Sequence, residues 1–142
     1  MADPTKVRYE YQAAASHIRD GDTPVLIAEQ IVRWPDGEVR TTHEFVVRIL
    51  GVDTPETRDK DPQLRAIAYR AKEFTSDFLI DTEGILKPAT LKLTGRKDVY
   101  GRWLGWVEVG GKDLSAALLE AGLGDERAIT LHLAELAEEG VH

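Results

Sequence analysis

The chain has 142 residues, 42% of them hydrophobic, with a formal net charge of −7 and no cysteine. That length suits one domain with its own hydrophobic core, so residues 1–142 are expected to form a single unit. The missing cysteine excludes disulfides, zinc–thiolate sites and thiol nucleophiles, and no apolar run approaches the roughly 18 residues of a membrane span, so no membrane partner is expected.

Val7 to Ile18 reads as a first strand, and Asp20-Gly21-Asp22-Thr23 as the turn after it. Val25 to Trp34 is a second strand, Trp34-Pro35-Asp36-Gly37-Glu38 a hairpin turn and Val39 to Leu50 a third strand. Asp61 and Pro62 then carry the cap and first turn of a helix whose apolar residues, Leu64, Ile67, Ala71, Phe74 and Phe78 among them, recur at helical spacing as far as Ile80. Leu86 to Leu93 returns to alternation as a fourth strand, Gly95 to Gly101 is a polar loop, and Arg102 to Val109 is a fifth strand. Asp113 caps a second helix through Leu123, with Gly122 and Gly124 at its end, and Asp125 to Glu139 is expected to be a third. This order predicts a fold that is mainly β with α: a five-stranded barrel of the oligonucleotide-binding (OB) kind with about three helices packed outside. The N-terminal stretch MADPTKVRYE has no signal-peptide core, so a cytoplasmic protein is expected if that terminus is the native one.

The negative charge is unevenly spread. Residues 86–112 hold six lysines and arginines against two carboxylates, whereas residues 113–142 hold seven carboxylates against Arg127. A locally basic middle can meet phosphates despite the overall sign.

The stretch RILGVDTPETR, residues 48–58, raises the chemical question. Arg48 lies in the pattern of a strand and projects beside apolar neighbours, where a guanidinium needs an anion, either a partner carboxylate or a ligand. Asp53 and Glu56 wait where that strand ends, and Asp22 sits in an earlier turn. Strand ends of one small barrel can converge on one rim. There two aspartates and a third carboxylate would attract a hard, oxygen-seeking cation such as calcium. Pro55 holds Thr54 extended, which fixes where the Thr54 carbonyl points. Each piece also has a plain reading, because Asp-Gly and Asp-Thr-Pro are ordinary turn chemistry and Arg102 could be an edge charge. The four histidines show no metal-binding spacing, and Ser16 and Ser115 lack a nucleophile motif. Trp103 and Trp106 read as core or barrel-face aromatics, with base stacking as an alternative.

Taken together and in order, DGDT at 20–23, the Arg48 and GVDTPE pattern at 48–56, AKEFTSDFL at 71–79, DVYGR at 98–102 and DLSAALLEAGL at 113–123 resemble the staphylococcal-nuclease-like (thermonuclease) family. The resemblance spans most of residues 15–125. It implies an OB barrel and calcium-dependent, largely non-sequence-specific hydrolysis of DNA and RNA phosphodiesters with 3′-phosphate products. Carried over by position, Asp22, Asp53 and the Thr54 carbonyl match the ligands of one calcium ion. Glu56 matches the general base, Arg48 and Arg102 the phosphate-clamping arginines, and Tyr100 a tyrosine that contacts a terminal phosphate.

Three departures stand out. Val99 occupies a position where relatives often carry a lysine, and Lys97 is the nearby substitute for that phosphate contact. About eleven extra residues separate DGDT from Arg48, assigned to a longer hairpin around Trp34 to Gly37. The tyrosine-bearing loop of the family pattern is absent after Gly122-Leu123-Gly124. A monomer is expected, acting on DNA or RNA and preferring single strands, since a rim site with no base-reading helix favours accessible backbone. Expression by a phage or mobile element would suit a nuclease with no export address. The rival reading is a catalytically weak or inactive module that binds nucleic acid or protein on the same barrel.

Overall fold

Inward-facing residues at every second position, together with two irregularities in the first strand, explain how a short chain closes a sheet on itself. The computed structural model describes residues 6–126. β1 (Tyr9–Asp20), β2 (Thr23–Trp34) and β3 (Gly37–Ile49) form an antiparallel meander. A short β4 (Val52–Asp53) leads to helix α1 (Pro62–Leu79). β5 (Ala89–Lys97) pairs antiparallel with both β1 and β6 (Trp103–Val109), and β6 pairs parallel with the end of β3. That last pairing closes the OB-type barrel of five strands. β7 (Lys112–Asp113), α2 (Leu114–Glu120) and β8 (Asp125–Glu126) complete the described chain.

Closure needs sharply bent strands. β1 shifts register between Ala15 and His17 and again between Ile18 and Asp20, the behaviour of bulges that add twist. Gly105 solves a packing problem, because a Cβ there would lie 2.2 Å from the Lys92 carbonyl oxygen of the neighbouring strand. Inside the barrel, Ala13, Ala15, Leu26, Val47, Ile49, Leu91, Leu93 and Val107 form one buried cluster with Ala71 and Leu79 of α1 and Leu114 and Leu118 of α2. Removing this apolar surface from water is the main source of stability, at about 25 cal/mol per Å².

Asp61 caps α1 by accepting from the Gln63 amide at 2.9 Å, and Pro62 stands at the first turn where it loses no hydrogen bond. The helix buries Ala68, Ala71, Thr75 and Leu79, and its small residues let it lie close to the barrel. Leu64 stays exposed and Phe74 and Phe78 are half-buried, so the apolar stripe is narrower than its sequence pattern. No described helix is long and apolar enough to cross a membrane.

Several boundaries differ from expectation. The fourth strand starts at Ala89 rather than Leu86, because Pro88 has no amide hydrogen and Leu86 only bridges back to Ile80. It runs on to Lys97 instead of ending before a loop, with a register shift accommodated at Gly95, whose φ is +85°. α2 ends at Glu120, closed by bonds from Gly122 N–H to Leu119 O and from Leu123 N–H to Leu118 O around a left-handed Gly122. Asp125 and Glu126 are not a helix start: they pair with β4 as a strand, Asp53 opposite Asp125. Residues 127–139 of the expected third helix lie outside the described residues, which hold two helices.

Candidate functional site

Two turns and one loop meet above the end of β3. The β1–β2 turn supplies Asp20, Asp22 and Thr23, the segment after β3 supplies Asp53 to Glu56, and the β5–β6 turn supplies Tyr100 and Arg102. Together with Arg48 they line a cleft of about 410 Å³, and Thr23 lines an adjoining recess that shares Asp20, Glu56, Tyr100 and Arg102.

Arg48 is the hub. Its side chain is only 4% exposed. One terminal nitrogen donates to the carbonyls of Ile49 at 2.7 Å and Val52 at 2.8 Å and lies 3.2 Å from Asp22 Oδ2. The other donates to Asp53 Oδ1 at 2.8 Å. The two carbonyls fold the chain around the guanidinium, which is why Val52 and Asp53 turn back beneath the β3 end. A buried guanidinium is tolerated only with such pairing.

Asp22 is buried as well. Its Oδ2 accepts from the Thr54 amide at 3.1 Å and its Oδ1 from the Thr23 hydroxyl at 3.0 Å. The Thr23 oxygen in turn accepts from Arg102 at 3.2 Å. One continuous polar chain therefore runs Arg102–Thr23–Asp22–Arg48–Asp53 across three segments. The Thr54 hydroxyl oxygen is buried with no hydrogen-bond partner among the described residues.

Arg102 is held from behind by Asp98. That carboxylate is fully buried and accepts from the amides of Tyr100 and Arg102, both at 3.0 Å, and from Arg102 Nε at 2.8 Å. The guanidinium lies 5.4 Å from the centre of the Tyr100 ring, itself 80% exposed. Asp98 and Asp20 are the residues that sequence reasoning passed over. Asp20 Oδ1 takes both the amide and the hydroxyl of Thr57, which fixes the loop carrying Glu56. The signal for Asp98 was present, since an aspartate two residues before another amide is a turn former that also stands one helical-like step from Arg102.

Glu56 is exposed, and no side-chain partner for it exists among the described residues. Lys97 is not brought to this cleft. Its ammonium sits 4.5 Å over the Trp103 ring, on the other side of β6 from Arg102. Lys97 is therefore not among the residues that line this cleft, and Val99 is 61% exposed.

The donor set fits an oxygen-seeking divalent cation. Asp20, Asp22, Asp53, Glu56 and Asp59 face only Arg48 and Arg102 in the cleft, so an entering phosphate meets excess negative charge. The orphaned Thr54 oxygen is a further hard donor at the same place. No three Asp, Glu, His or Cys side chains among the described residues are grouped closely enough to hold a metal by themselves. Waters and neutral oxygens would have to complete the six to eight positions typical of calcium.

The closed OB-type barrel thus carries an arginine- and carboxylate-lined cleft at its strand ends. A model of the staphylococcal nuclease homologue family matches residues 46–136, and the chain belongs to that family. Its members are in general calcium-dependent nucleases. The matched segment contains Arg48, Asp53, Thr54, Glu56, Tyr100 and Arg102, while Asp22 joins them from outside it. A search of the curated proteins finds no significant match.

Proposed function

We propose that this chain is a calcium-dependent nuclease that hydrolyses phosphodiesters of DNA and RNA with little sequence preference. The observation that carries the reading is the convergence of two guanidiniums, Asp22, Asp53 and an unpartnered Glu56 on one cleft. Asp22, Asp53 and an oxygen of Thr54 would hold one calcium ion. When bound, it would offset the carboxylates, polarise the phosphoryl oxygen and acidify a neighbouring water.

The chain's own residues do the rest. Glu56, free to turn on the rim, accepts the proton of the attacking water as its oxygen bonds to phosphorus. The P–O5′ bond breaks, the leaving oxygen takes a proton from solvent, and a 3′-phosphate remains. Negative charge grows on the phosphoryl oxygens during this step. Arg102 keeps hydrogens of its terminal nitrogens for them, because Asp98 and Thr23 occupy only Nε and one NH1 hydrogen. Arg48 is held by the carbonyls of Ile49 and Val52 and by Asp53, and adds its fixed positive charge to the cleft. Donors set in place before the reaction stabilise the transition state without reorganising, and a planar guanidinium suits two phosphate oxygens better than an ammonium does. Among the described residues no helix lines the cleft, which supports single-stranded or frayed substrates, and the enzyme is proposed to act as a monomer.

One observation favours a second reading. Both aspartates already pair with Arg48, as they would in a barrel that keeps the cluster for stability and only binds its partner. Cleavage of labelled single-stranded DNA and RNA at low salt, in calcium, magnesium or chelator, decides between them. Calcium-dependent cleavage lost in Glu56→Gln and Arg102→Ala supports the nuclease. Binding without cleavage by the unaltered protein supports the module.

A further inference from the structure

The inward-facing rows of the barrel do not stop where the core stops. On β1 the row Ala15, Ala13 continues as Tyr11 and Tyr9, and on β3 the row Ile49, Val47 continues as Phe45 and His43. The buried aliphatics give way to rings at the barrel end away from α1, which packs near the opposite end of β1. Tyr11 stacks on Phe45 at 5.5 Å and 21°, Phe45 meets the edge of Trp103 at 6.1 Å, and Tyr9 stacks nearly parallel on Tyr11 at 6.5 Å and 8°. Tyr11, Phe45 and Trp103 line a second cleft of about 650 Å³, larger than the first.

These rings are not buried. Tyr9 is 51% and Tyr11 37% exposed. Water-exposed aromatic faces held in a row have no structural need to be so large. Tyr9 is also fixed in place, because a Cβ on Gly95 would lie 2.8 Å from its ring. Tyr9 thus ends the stacked row, held by Tyr11 and the β5 bend yet half open to water.

Two cations stand by the rings. Lys97 lies over Trp103, and the Arg8 side chain comes close to Gly95 beside Tyr9; among the described residues no carboxylate ion-pairs with either. Glu29, the acid in the cleft lining, is engaged by Arg40 at 3.2 Å. In a chain of net charge −7, two such cations beside a row of exposed rings are complementary to a polyanion that carries flat bases.

We propose that this aromatic rim is a second nucleic-acid subsite, at which bases of a single strand stack on Tyr9 and Tyr11 while Lys97 and Arg8 meet the phosphates. It rests on the reading of the first cleft as a nucleic-acid site. Arg102 and Trp103 are consecutive, so a strand held at Arg102 reaches the rim by passing around one strand of the barrel. Barrels of this type engage about 4–16 nucleotides, more than one scissile phosphate and its two nucleosides.

The test is fluorescence anisotropy of a fluorescein-labelled oligothymidylate of about twelve nucleotides, in chelator so that nothing is cleaved. Tyr9→Ala and Tyr11→Ala are each expected to weaken binding at least about fivefold, the lower end for one lost base stack. Because Tyr11 packs on Phe45 and its loss loosens the barrel, exposed Lys97 supplies a second readout. In Lys97→Gln the slope of log affinity against log salt falls by about 0.7, one phosphate contact to a single strand. Ring and lysine variants that bind as the unaltered protein does, while Arg102→Ala binds more weakly, overturn the rim and leave the first cleft intact. Loss of binding in the ring variants with none in Arg102→Ala supports the rim and counts against the first cleft. An unaltered protein that does not bind the oligonucleotide overturns both, and would make the rings a protein-docking surface instead.

Discussion

Asp98→Asn isolates the physical role of a carboxylate that touches no substrate. Asp98 is fully buried and holds Arg102 twice, through its amide at 3.0 Å and its Nε at 2.8 Å. Asparagine keeps the shape and one acceptor oxygen, so the turn amides of Tyr100 and Arg102 can still be satisfied. The second oxygen becomes an NH2 group facing the guanidinium, a donor against a donor. A charge-assisted bond contributes about 1.5–3 kcal/mol, and truncating one partner of a buried pair costs about 3–5. The Arg102 side chain is 25% exposed and can swing to water, so a loss of about 2 kcal/mol is expected. Urea unfolding followed by circular dichroism reads that loss as a lower midpoint with an unchanged slope. A double-mutant cycle with Arg102→Ala should give a coupling of at least about 1 kcal/mol, because Asp98→Asn has nothing left to disturb once the guanidinium is gone. The argument fails if the two changes add to within about 0.5 kcal/mol, or if Asp98→Asn is as stable as the unaltered protein. In the cleavage assay the same variant should lose rate, since the guanidinium no longer waits at the phosphate.

Glu56→Gln should lower kcat by about 10²-fold or more while leaving the thermal midpoint within about 1 °C, because the side chain is exposed and unpartnered. Equal losses of activity and stability would remove it from the role of base. Gly21→Ala should destabilise by about 1–3 kcal/mol in urea unfolding, since the new methyl would lie 2.6 Å from Ala71 Cβ and 3.0 Å from the Ala71 backbone. An unchanged midpoint would mean that α1 does not press on the β1–β2 turn as described. Arg48→Ala leaves Asp22 buried without its cation and should cost about 3–5 kcal/mol in the same experiment. Calcium at about 100 times its dissociation constant should stabilise the unaltered protein by about 2.7 kcal/mol, read as a rise in thermal midpoint, and Asp22→Asn should reduce that rise. An equal rise in both proteins would place the ion elsewhere.

The local pattern of the chain determined a good deal. Strand alternation, the Asp61-Pro62 helix start, the Asp113 cap and Gly122 all act within a few residues, where side-chain periodicity and backbone restriction are strong. GVDTPE and DVYGR likewise place their own residues, because a turn brings neighbours together wherever it is built. What depended on distant chain segments was not legible. Asp125 and Glu126 read as a helix start until β4 was there to pair with them, since a strand edge outbids a weak terminal helix preference. Lys97 read as a phosphate ligand near Tyr100, yet the register of β5 against β6 sets it over Trp103 instead. The spacing of Asp98 from Tyr100 and Arg102 announced a turn, but the burial that makes it the fixed partner of Arg102 did not follow from spacing. Asp22 lies outside the family match and 26 residues before Arg48, and the antiparallel register of β2 against β3, Val25 opposite Val46, brings its carboxylate to the guanidinium at 3.2 Å, while closure of β3 onto β6 brings in Arg102. Short-range geometry is written residue by residue, but the meeting of two turns is decided by strand register and barrel closure, which are properties of the whole core.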